Sequence, residues 1–281
     1  MKNSNLNKII VAMILLAFLS SCATQKIKSH PVQPFGVIGS DADLYMYLPV
    51  KNNKIFIDAL LGDMAEDKYI QMAIDKTDVI HSGFFQKRSD TAVRVCANGT
   101  YPAGLTDVIF KQSYGWKKKT TVDNHEYYES YDLDVSIPHP KFAFLVMGEK
   151  KAGDMDMTLA NISNPDAPDF SPDFNKFISL GEKNGVALFS ANPNFIISKL
   201  LGTDLGLPVK TIEVYFFNQK DDEIYTYSFI AKTGNKGTTA ALAMILSRML
   251  DGEIKIEDYL VKVENGKISY ADLAYLLKEV Y

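Results

Sequence analysis

The sequence predicts an α+β fold in which two tandem strand-helix-strand-strand-helix-strand repeats form a pseudo-symmetric body around an antiparallel sheet. Two observations predict this fold. The second half of the chain repeats the order of apolar segments found in the first half. Segments rich in β-branched and aromatic residues, typical of strands, alternate with amphipathic segments bounded by capping residues and glycine, typical of helices. Helices packed on one face of an antiparallel sheet bury such a pattern most simply.

Both repeats begin with a strand, a turn and a short helix that ends at glycine. This pattern covers residues 43–62 in the first repeat and residues 186–202 in the second. Two strands then follow in each repeat, at residues 78–85 and 91–97 and again at residues 211–217 and 224–231. The next helix begins at Pro102 in the first repeat and near Thr238 in the second.

The two repeats also differ. The first contains an extra amphipathic helix that begins near Asp63, and it continues into an aromatic meander of four strands over residues 116–147. The second ends with a hairpin turn at Asn265-Gly266 and a helix capped by Ser269 and Asp272. The predicted organisation is a signal peptide at 1–21, a tether at 22–40, repeat 1 at 41–148, a partly helical connector at 149–181 and repeat 2 at 182–281.

The N-terminus has the order of features found in a signal peptide. Lys2 and Lys8 precede an unbroken apolar run at residues 9–19, and two serines separate that run from Cys22. A membrane-spanning helix needs roughly 20 apolar residues, and this run is much shorter. The segment is therefore predicted to be a signal peptide, with the polar, proline-containing residues that follow acting as a flexible tether.

The residues Leu19-Ser20-Ser21-Cys22 resemble the lipobox of bacterial lipoproteins. The resemblance covers residues 1–22 and implies that a diacylglyceryl group is attached to the Cys22 sulfur, with acyl chains such as palmitate. It also implies cleavage before Cys22 and a stable membrane anchor, because two or three acyl chains make release negligible. Ala23, in place of aspartate, favours sorting to the outer membrane in that family. The alternative is an ordinary signal peptide that happens to end near a cysteine.

Composition limits the classes of function. The chain of 281 residues is 47% hydrophobic and 11% aromatic, which is typical of a folded protein. Its formal net charge of −4 becomes −6 if cleavage removes Lys2 and Lys8, and an acidic protein is poorly suited to binding nucleic acid. Cys96 lies in an alternating run and is predicted to be a small buried residue on a strand.

One cluster of residues is a candidate binding site. Five aromatic residues lie around three consecutive lysines at positions 117–119, and these aromatics are Tyr114, Trp116, Tyr127, Tyr128 and Tyr131. Aromatic faces on an exposed sheet can stack on sugar rings or anchor a protein partner. The alternative is that alternate aromatics line the core while the lysines protect an edge strand.

Motifs for catalysis, metals and cofactors are missing from the sequence. The four histidines show no HExxH or clustered spacing, and the acidic clusters lack the spacing of a calcium loop. There is also no GxSxG, phosphate-binding loop or GxGxxG. The leading hypothesis is a non-enzymatic, lipid-anchored envelope protein that binds a protein or glycan and requires no cofactor or metal. The alternatives are an envelope hydrolase with a site in a cleft between the repeats, or a purely structural component of the envelope.

Overall fold

The structure is a computed structural model, and the part of the chain that it describes omits the N-terminus and several loops. The described residues are 32–66, 71, 74–87, 90–101, 110–131, 133–148, 154–163, 171–201, 206–218 and 223–280. Cys22 and the helix predicted to begin at Pro102 lie outside these residues, as does most of the extra helix predicted after Asp63.

The described residues form twelve strands and seven α-helices. The strands are β1 Leu44–Pro49, β2 Thr77–Lys87, β3 Asp90–Gly99, β4 Lys117–Thr120, β5 Glu126–Glu129, β6 Leu133–His139, β7 Phe142–Met147, β8 Val186–Ser190, β9 Val209–Asn218, β10 Ile224–Thr233, β11 Glu253–Glu257 and β12 Leu260–Ser269. The helices are α1 Pro34–Ile38, α2 Lys54–Leu61, α3 Asp154–Ser163, α4 Pro172–Asn184, α5 Pro193–Leu201, α6 Lys236–Met249 and α7 Tyr270–Val280. Short 3₁₀ helices cover Gly62–Glu66 and Gln112–Tyr114.

The chain divides into two compact units. Unit 1 comprises Met1–Asp41 and Leu61–Asp169, and unit 2 comprises Ala42–Leu60 and Phe170–Tyr281. The second unit therefore contains β1 and nearly all of α2, although these elements precede unit 1 in the chain. This division differs from the predicted boundary at residue 148, because β1 pairs with β8 of the later segment, with Tyr45 opposite Phe189.

Unit 1 is an antiparallel sheet in the order β2-β3-β7-β6-β5-β4. Its central strands β3 and β7 pair through apolar residues such as Val95 and Leu145, and both of these side chains are fully buried. The helices α1 and α3 pack against this sheet and against each other. The four predicted strands of the aromatic meander are all present, as β4 to β7.

Helix α1 shortens the predicted tether. Residues 22–40 are predicted to be flexible, yet Pro34–Ile38 forms a helix whose Phe35, Val37 and Ile38 side chains are buried in unit 1. Arg94, itself buried, donates a hydrogen bond from Nη1 to the Ile38 carbonyl at 2.9 Å. A cation at the C-terminus of a helix is stabilising, so this contact holds the helix in place.

Unit 2 is an antiparallel sheet in the order β11-β12-β10-β9-β8-β1, with helices on both of its faces. Helix α4 covers one face, where Phe174 and Phe177 pack on Phe189 with ring centroids 5.1 and 5.5 Å apart. Helices α5, α6 and α7 cover the other face. The expectation of helices on one face fails here because β8 and β9 bury alternate side chains on both sides.

The hairpin turn predicted at Asn265-Gly266 is instead a bulge within β12. Tyr227 pairs with Gly266 and Phe229 pairs with Val263, so the register shifts by one extra residue on β12. The actual turn joins β11 and β12 at residues 258–259, where Asp258 has a φ of 49°. A Cβ atom on Gly266 would lie 2.3 Å from Tyr227 Cζ. The glycine is therefore required for close packing against β10 and not for a hairpin turn.

The structure confirms the predicted α+β class with antiparallel sheets. The final helix also begins as predicted, because the Ser269 hydroxyl accepts a hydrogen bond from the Asp272 amide at 3.0 Å. Two segments of the chain show the same order of strand, helix, strand and strand, namely β1 to β3 and β8 to β10. The internal repeat itself stays a prediction.

Candidate ligand-binding cavity

Unit 2 contains a cavity of about 410 Å³ between one face of its sheet and helices α5 to α7. Aliphatic and aromatic side chains supply most of its lining. From the strands these residues are Leu44, Leu188, Phe189, Ile212, Val214, Phe216, Tyr227, Phe229 and Ile268, and from the helices they are Ile196, Ile197, Leu242, Ile245, Leu246, Met249, Leu273, Leu276 and Leu277. The remaining lining residues are Ser190, Leu250, Asp251 and Lys267.

The alternation of side chains along β9 forms the floor of the cavity. Ile212, Val214 and Phe216 line the cavity because successive residues of a strand point to opposite faces. The intervening Glu213 and Tyr215 belong to the opposite face, where both are buried and the Tyr215 hydroxyl donates to Glu213 Oε2 at 2.8 Å. Burial, with the nearby Glu213 carboxylate, raises the pKa of Tyr215. The carboxylate is thus kept away from the apolar cavity.

The apolar faces of helices α6 and α7 line the side of the cavity opposite the sheet. Leu242, Ile245, Leu246 and Met249 recur at spacings of three and four residues along α6, which places them on one face of the helix. Helix α6 begins at an N-cap, because the Asn235 side chain accepts a hydrogen bond from the Thr238 amide at 2.9 Å. Helix α7 presents a similar apolar face from Leu273, Leu276 and Leu277.

The few polar lining groups are of two kinds. Ser190 and Tyr227 are engaged within the protein, since the Ser190 hydroxyl donates to the Asp43 carbonyl at 2.6 Å and the Tyr227 hydroxyl donates to the Asp251 carbonyl at 2.8 Å. Burial and the nearby Asp251 raise the pKa of Tyr227. Asp251 and Lys267 are exposed, so their charged groups mark the rim of the cavity.

The five predicted aromatic site residues do not form one exposed surface. Trp116 and Tyr128 are buried against Phe110, with ring centroids 4.5 and 4.8 Å from its ring. Tyr127 is half-buried, and Tyr131 is 91% exposed. The Tyr114 side chain lies outside the described part of the structure. Only Tyr127 and Tyr131 therefore remain available to an external partner among the described members of this group.

The lysines beside these aromatics lie on an edge strand. All four residues of β4 are exposed, and β4 pairs only with β5 within the described part of unit 1. Lys118 Nζ lies 2.9 Å from Glu126 Oε2, and Lys119 Nζ lies 3.7 Å from Glu129 Oε2. Charged side chains on an edge strand discourage pairing with other chains. The arrangement agrees with the alternative in which aromatics line the core and lysines protect the edge.

Other candidate groups show no further site. Cys96 is fully buried on β3 as predicted, and burial raises the pKa of its thiol. His81 is buried, His125 is half-buried and His139 is exposed. No three acidic, histidine or cysteine side chains among the described residues lie close enough together to hold a metal ion. Within the same residues, every helix is too short or too polar to cross a membrane.

The sequence alone does not reveal the cavity. The same residues of α6 are recognisable as an apolar helix face, but such a face is most simply explained by close core packing. The distinguishing information is the space left between helices and sheet, which depends on how the elements pack and not on local periodicity.

Comparisons with known proteins give a consistent result. A family model described as outer membrane-associated lipoprotein TP0453 matches residues 29–274 of the chain. The outer membrane protein TP0453 of Treponema pallidum (strain Nichols) is 33% identical over 252 residues, which covers 89% of this chain and 86% of that protein.

Solved structures of TP0453 resemble this fold over most of its length. Crystal form I matches with a TM-score of 0.72 at 31% identity and covers 90% of this chain and 99% of that one. Crystal form III matches with a TM-score of 0.72 at 32% identity and covers 88% and 98% of the two chains.

Proposed function

The chain belongs to the family of the outer membrane-associated lipoprotein TP0453, and we propose that it is a non-enzymatic binding protein that holds an apolar ligand in the cavity of unit 2. Membership makes it a lipoprotein of the cell envelope associated with the outer membrane. The binding role rests on one observation, which is the apolar cavity of about 410 Å³.

The size and lining of the cavity support a ligand with a hydrocarbon portion. Ligand pockets typically measure about 300 to 1,000 Å³ and are lined mostly by apolar side chains with a few polar groups. An apolar cavity of this kind gives water few hydrogen-bond partners. A hydrocarbon chain would restore the dispersion contacts that the empty space lacks. In the cell envelope, the most abundant molecules with a hydrocarbon portion are lipids.

We also propose that Cys22 carries the lipid anchor. The lipobox resemblance supports this assignment, and the family is one of lipoproteins. The anchor would keep unit 1 near the bilayer, because the chain enters unit 1 directly at α1. A protein or glycan partner at Tyr127 and Tyr131 stays a prediction, as does the alternative of a hydrolase.

Photolabelling tests the cavity proposal on the full chain in its membrane. A neutral alkyl diazirine probe is added to membranes, and the labelled peptides are identified by mass spectrometry. We expect labels on cavity residues of α6 and β9 in the native chain. Val214→Phe places a larger side chain in the cavity, so labelling should fall at least tenfold.

Val122→Phe is the matched control, because Val122 is fully exposed in the β4–β5 turn of unit 1. This variant should label as the native chain does. Labelling of the cavity peptides that is equal in Val214→Phe and in the native chain would contradict the proposal, provided that both variants unfold at a similar temperature.

A further inference from the structure

The volume of the cavity limits the amount of hydrocarbon that it holds. Ligand pockets typically measure about 300 to 1,000 Å³. The cavity of about 410 Å³ lies near the lower end of this range. A cavity of that size favours a ligand with one hydrocarbon chain over a phospholipid with two long chains.

The rim contains one negative and one positive side chain, Asp251 and Lys267. Asp251 Oδ1 accepts a hydrogen bond from the Gly252 amide at 3.0 Å, so this carboxylate is partly satisfied within its own loop. The Lys267 side chain makes no ion pair or hydrogen bond with any residue that the structure describes. A lysine ammonium is a compact point charge with three donors, which suits a carboxylate or phosphate oxygen.

The backbone holds this lysine at the rim. Lys267 directly follows Gly266, whose position in the β12 bulge brings β12 against Tyr227 and the Asp251 carbonyl. A Cβ atom on Gly266 would lie 2.5 Å from that carbonyl oxygen. The Tyr227 hydroxyl also binds the Asp251 carbonyl and ties the rim to β10. The charge of Lys267 is thus placed beside an apolar lining by a bulge that only glycine permits.

We propose that the cavity binds a single-chain anionic amphiphile, with its acyl chain among the apolar side chains and its anionic head at Lys267. The proposal rests on the proposed function and adds the class of ligand and the residue that recognises its head. The shared chemistry is an anionic oxygen on one acyl chain, which a free fatty acid or a monoacyl phospholipid can supply.

Competition for the neutral photoprobe tests this class of ligand. Tetradecanoate, tetradecanol and tetradecylamine have the same chain length and differ in the head, and monomyristoyl lysophosphatidic acid supplies a phosphate. Each competitor is titrated against the probe on the full chain in membranes, in the native protein and in Lys267→Met. Comparing one competitor between two proteins removes differences in how it partitions into the bilayer.

We expect Lys267→Met to weaken competition by tetradecanoate or by the lysophosphatidic acid about tenfold and to leave tetradecanol unchanged. The more affected of the two anions identifies the source of the head. Lys210→Met is the matched control, since Lys210 is exposed in unit 2 and does not line the cavity. It should change none of the four competitors.

The possible failures are distinguishable. If the neutral probe does not label the cavity of the native chain, the proposed function itself fails. If the probe labels the cavity but neither anion loses competition in Lys267→Met, the anionic head is wrong while the cavity remains a binding site. Tighter competition by tetradecylamine that is lost in Asp251→Asn would assign the head to a cation and overturn the proposal.

Discussion

At the scale of single residues, His81 links the stability of unit 1 to pH. Its imidazole is buried on β2, and its ring packs edge-on against Phe35 of α1 at 4.9 Å. Burial disfavours the charged form and lowers the pKa of His81 to about 4. Between pH 6.5 and 4 the unfolded chain binds a proton at this residue that the folded chain does not bind. Its contribution to stability is therefore present above pH 6.5 and is lost as the pH falls towards 4.

The first prediction is that His81→Phe removes part of this pH dependence. A pKa that is lower by about 2.5 in the folded state corresponds to about 3 kcal/mol between pH 7 and pH 4. Urea unfolding at both pH values should show that the native chain loses about that much more unfolding free energy than the variant. His139→Phe, at an exposed position, should behave as the native chain does. An identical pH dependence in the native chain and His81→Phe would show that His81 protonates freely in the folded state.

Gly266 carries the second prediction at this scale. Adding one methyl group in Gly266→Ala forces the β12 bulge away from Tyr227 and from the Asp251 carbonyl. Overpacking of this kind costs about 1 to 3 kcal/mol, and it should also displace Lys267 at the rim. Denaturant unfolding should show the loss of stability. Gly234→Ala is the control, because its Cβ would meet the nearest atom at an ordinary 3.4 Å. Equal stability of the two variants would mean that the bulge relaxes without cost.

At the scale of elements, helix α7 covers the cavity. The first turn of this helix is capped by one side chain, that of Ser269. The Ser269 hydroxyl accepts from the Asp272 amide at 3.0 Å and donates to the Asp272 carboxylate at 2.6 Å. Leu273 and Leu277 of the same helix are buried over the cavity. Fraying of the first turn would therefore expose the apolar lining.

The third prediction concerns this cap. Ser269→Ala should destabilise α7 by about 1 kcal/mol, the usual cost of losing an N-cap. Hydrogen exchange should then speed up by roughly fivefold in the amides of residues 270–280, while α6 exchanges as before. Ser247→Ala is the control, because this exposed serine in α6 only donates to the Met244 carbonyl in its own helix. Unchanged exchange in Ser269→Ala would show that packing alone fixes the helix.

Elements were predictable where a local pattern determines them. The strands β4 to β7 follow from alternating aromatic and β-branched residues, and the start of α7 follows from its capping residues. The Asn265-Gly266 pair shows where local reasoning fails. The same dipeptide suits a hairpin turn and a bulge, and only the approach of Tyr227 from β10 decides between them.

At the scale of the whole molecule, the proposed lipid anchor at Cys22 would hold the chain at the membrane. The fourth prediction is that Cys22→Ser moves the chain from the membrane fraction to the soluble fraction and abolishes metabolic labelling with radioactive palmitate. Removing two or three acyl chains removes most of the binding energy, at about 0.8 kcal/mol for each buried methylene. Cys96→Ser is the control and should retain the label. A labelled, membrane-bound Cys22→Ser chain would place the anchor elsewhere.

The candidate site was less predictable than the fold. Trp116 and Tyr128 have the composition of a binding surface, yet Phe110 packs against both and buries them. The cavity residues have the composition of a core, yet three helices leave space above β9. Aromatic residues occur both in binding surfaces and in buried clusters, and apolar residues occur both in packed cores and in cavity linings. Exposure and empty volume depend on contacts between distant segments, which composition and periodicity do not encode.

Because β1 and nearly all of α2 belong to unit 2, this unit cannot fold in the order in which the chain is synthesised and exported. Asn53 accepts a hydrogen bond from the Tyr225 hydroxyl at 2.7 Å across a separation of 172 residues. Contacts of such sequence separation form late, because the intervening chain must first be ordered or confined. As the N-terminus emerges first, β1 cannot form its pairing with β8 until the residues of β8 follow. We therefore expect unit 2 to complete its sheet only after most of the chain has been exported, and a fragment starting at residue 170 to lack a strand of its own sheet.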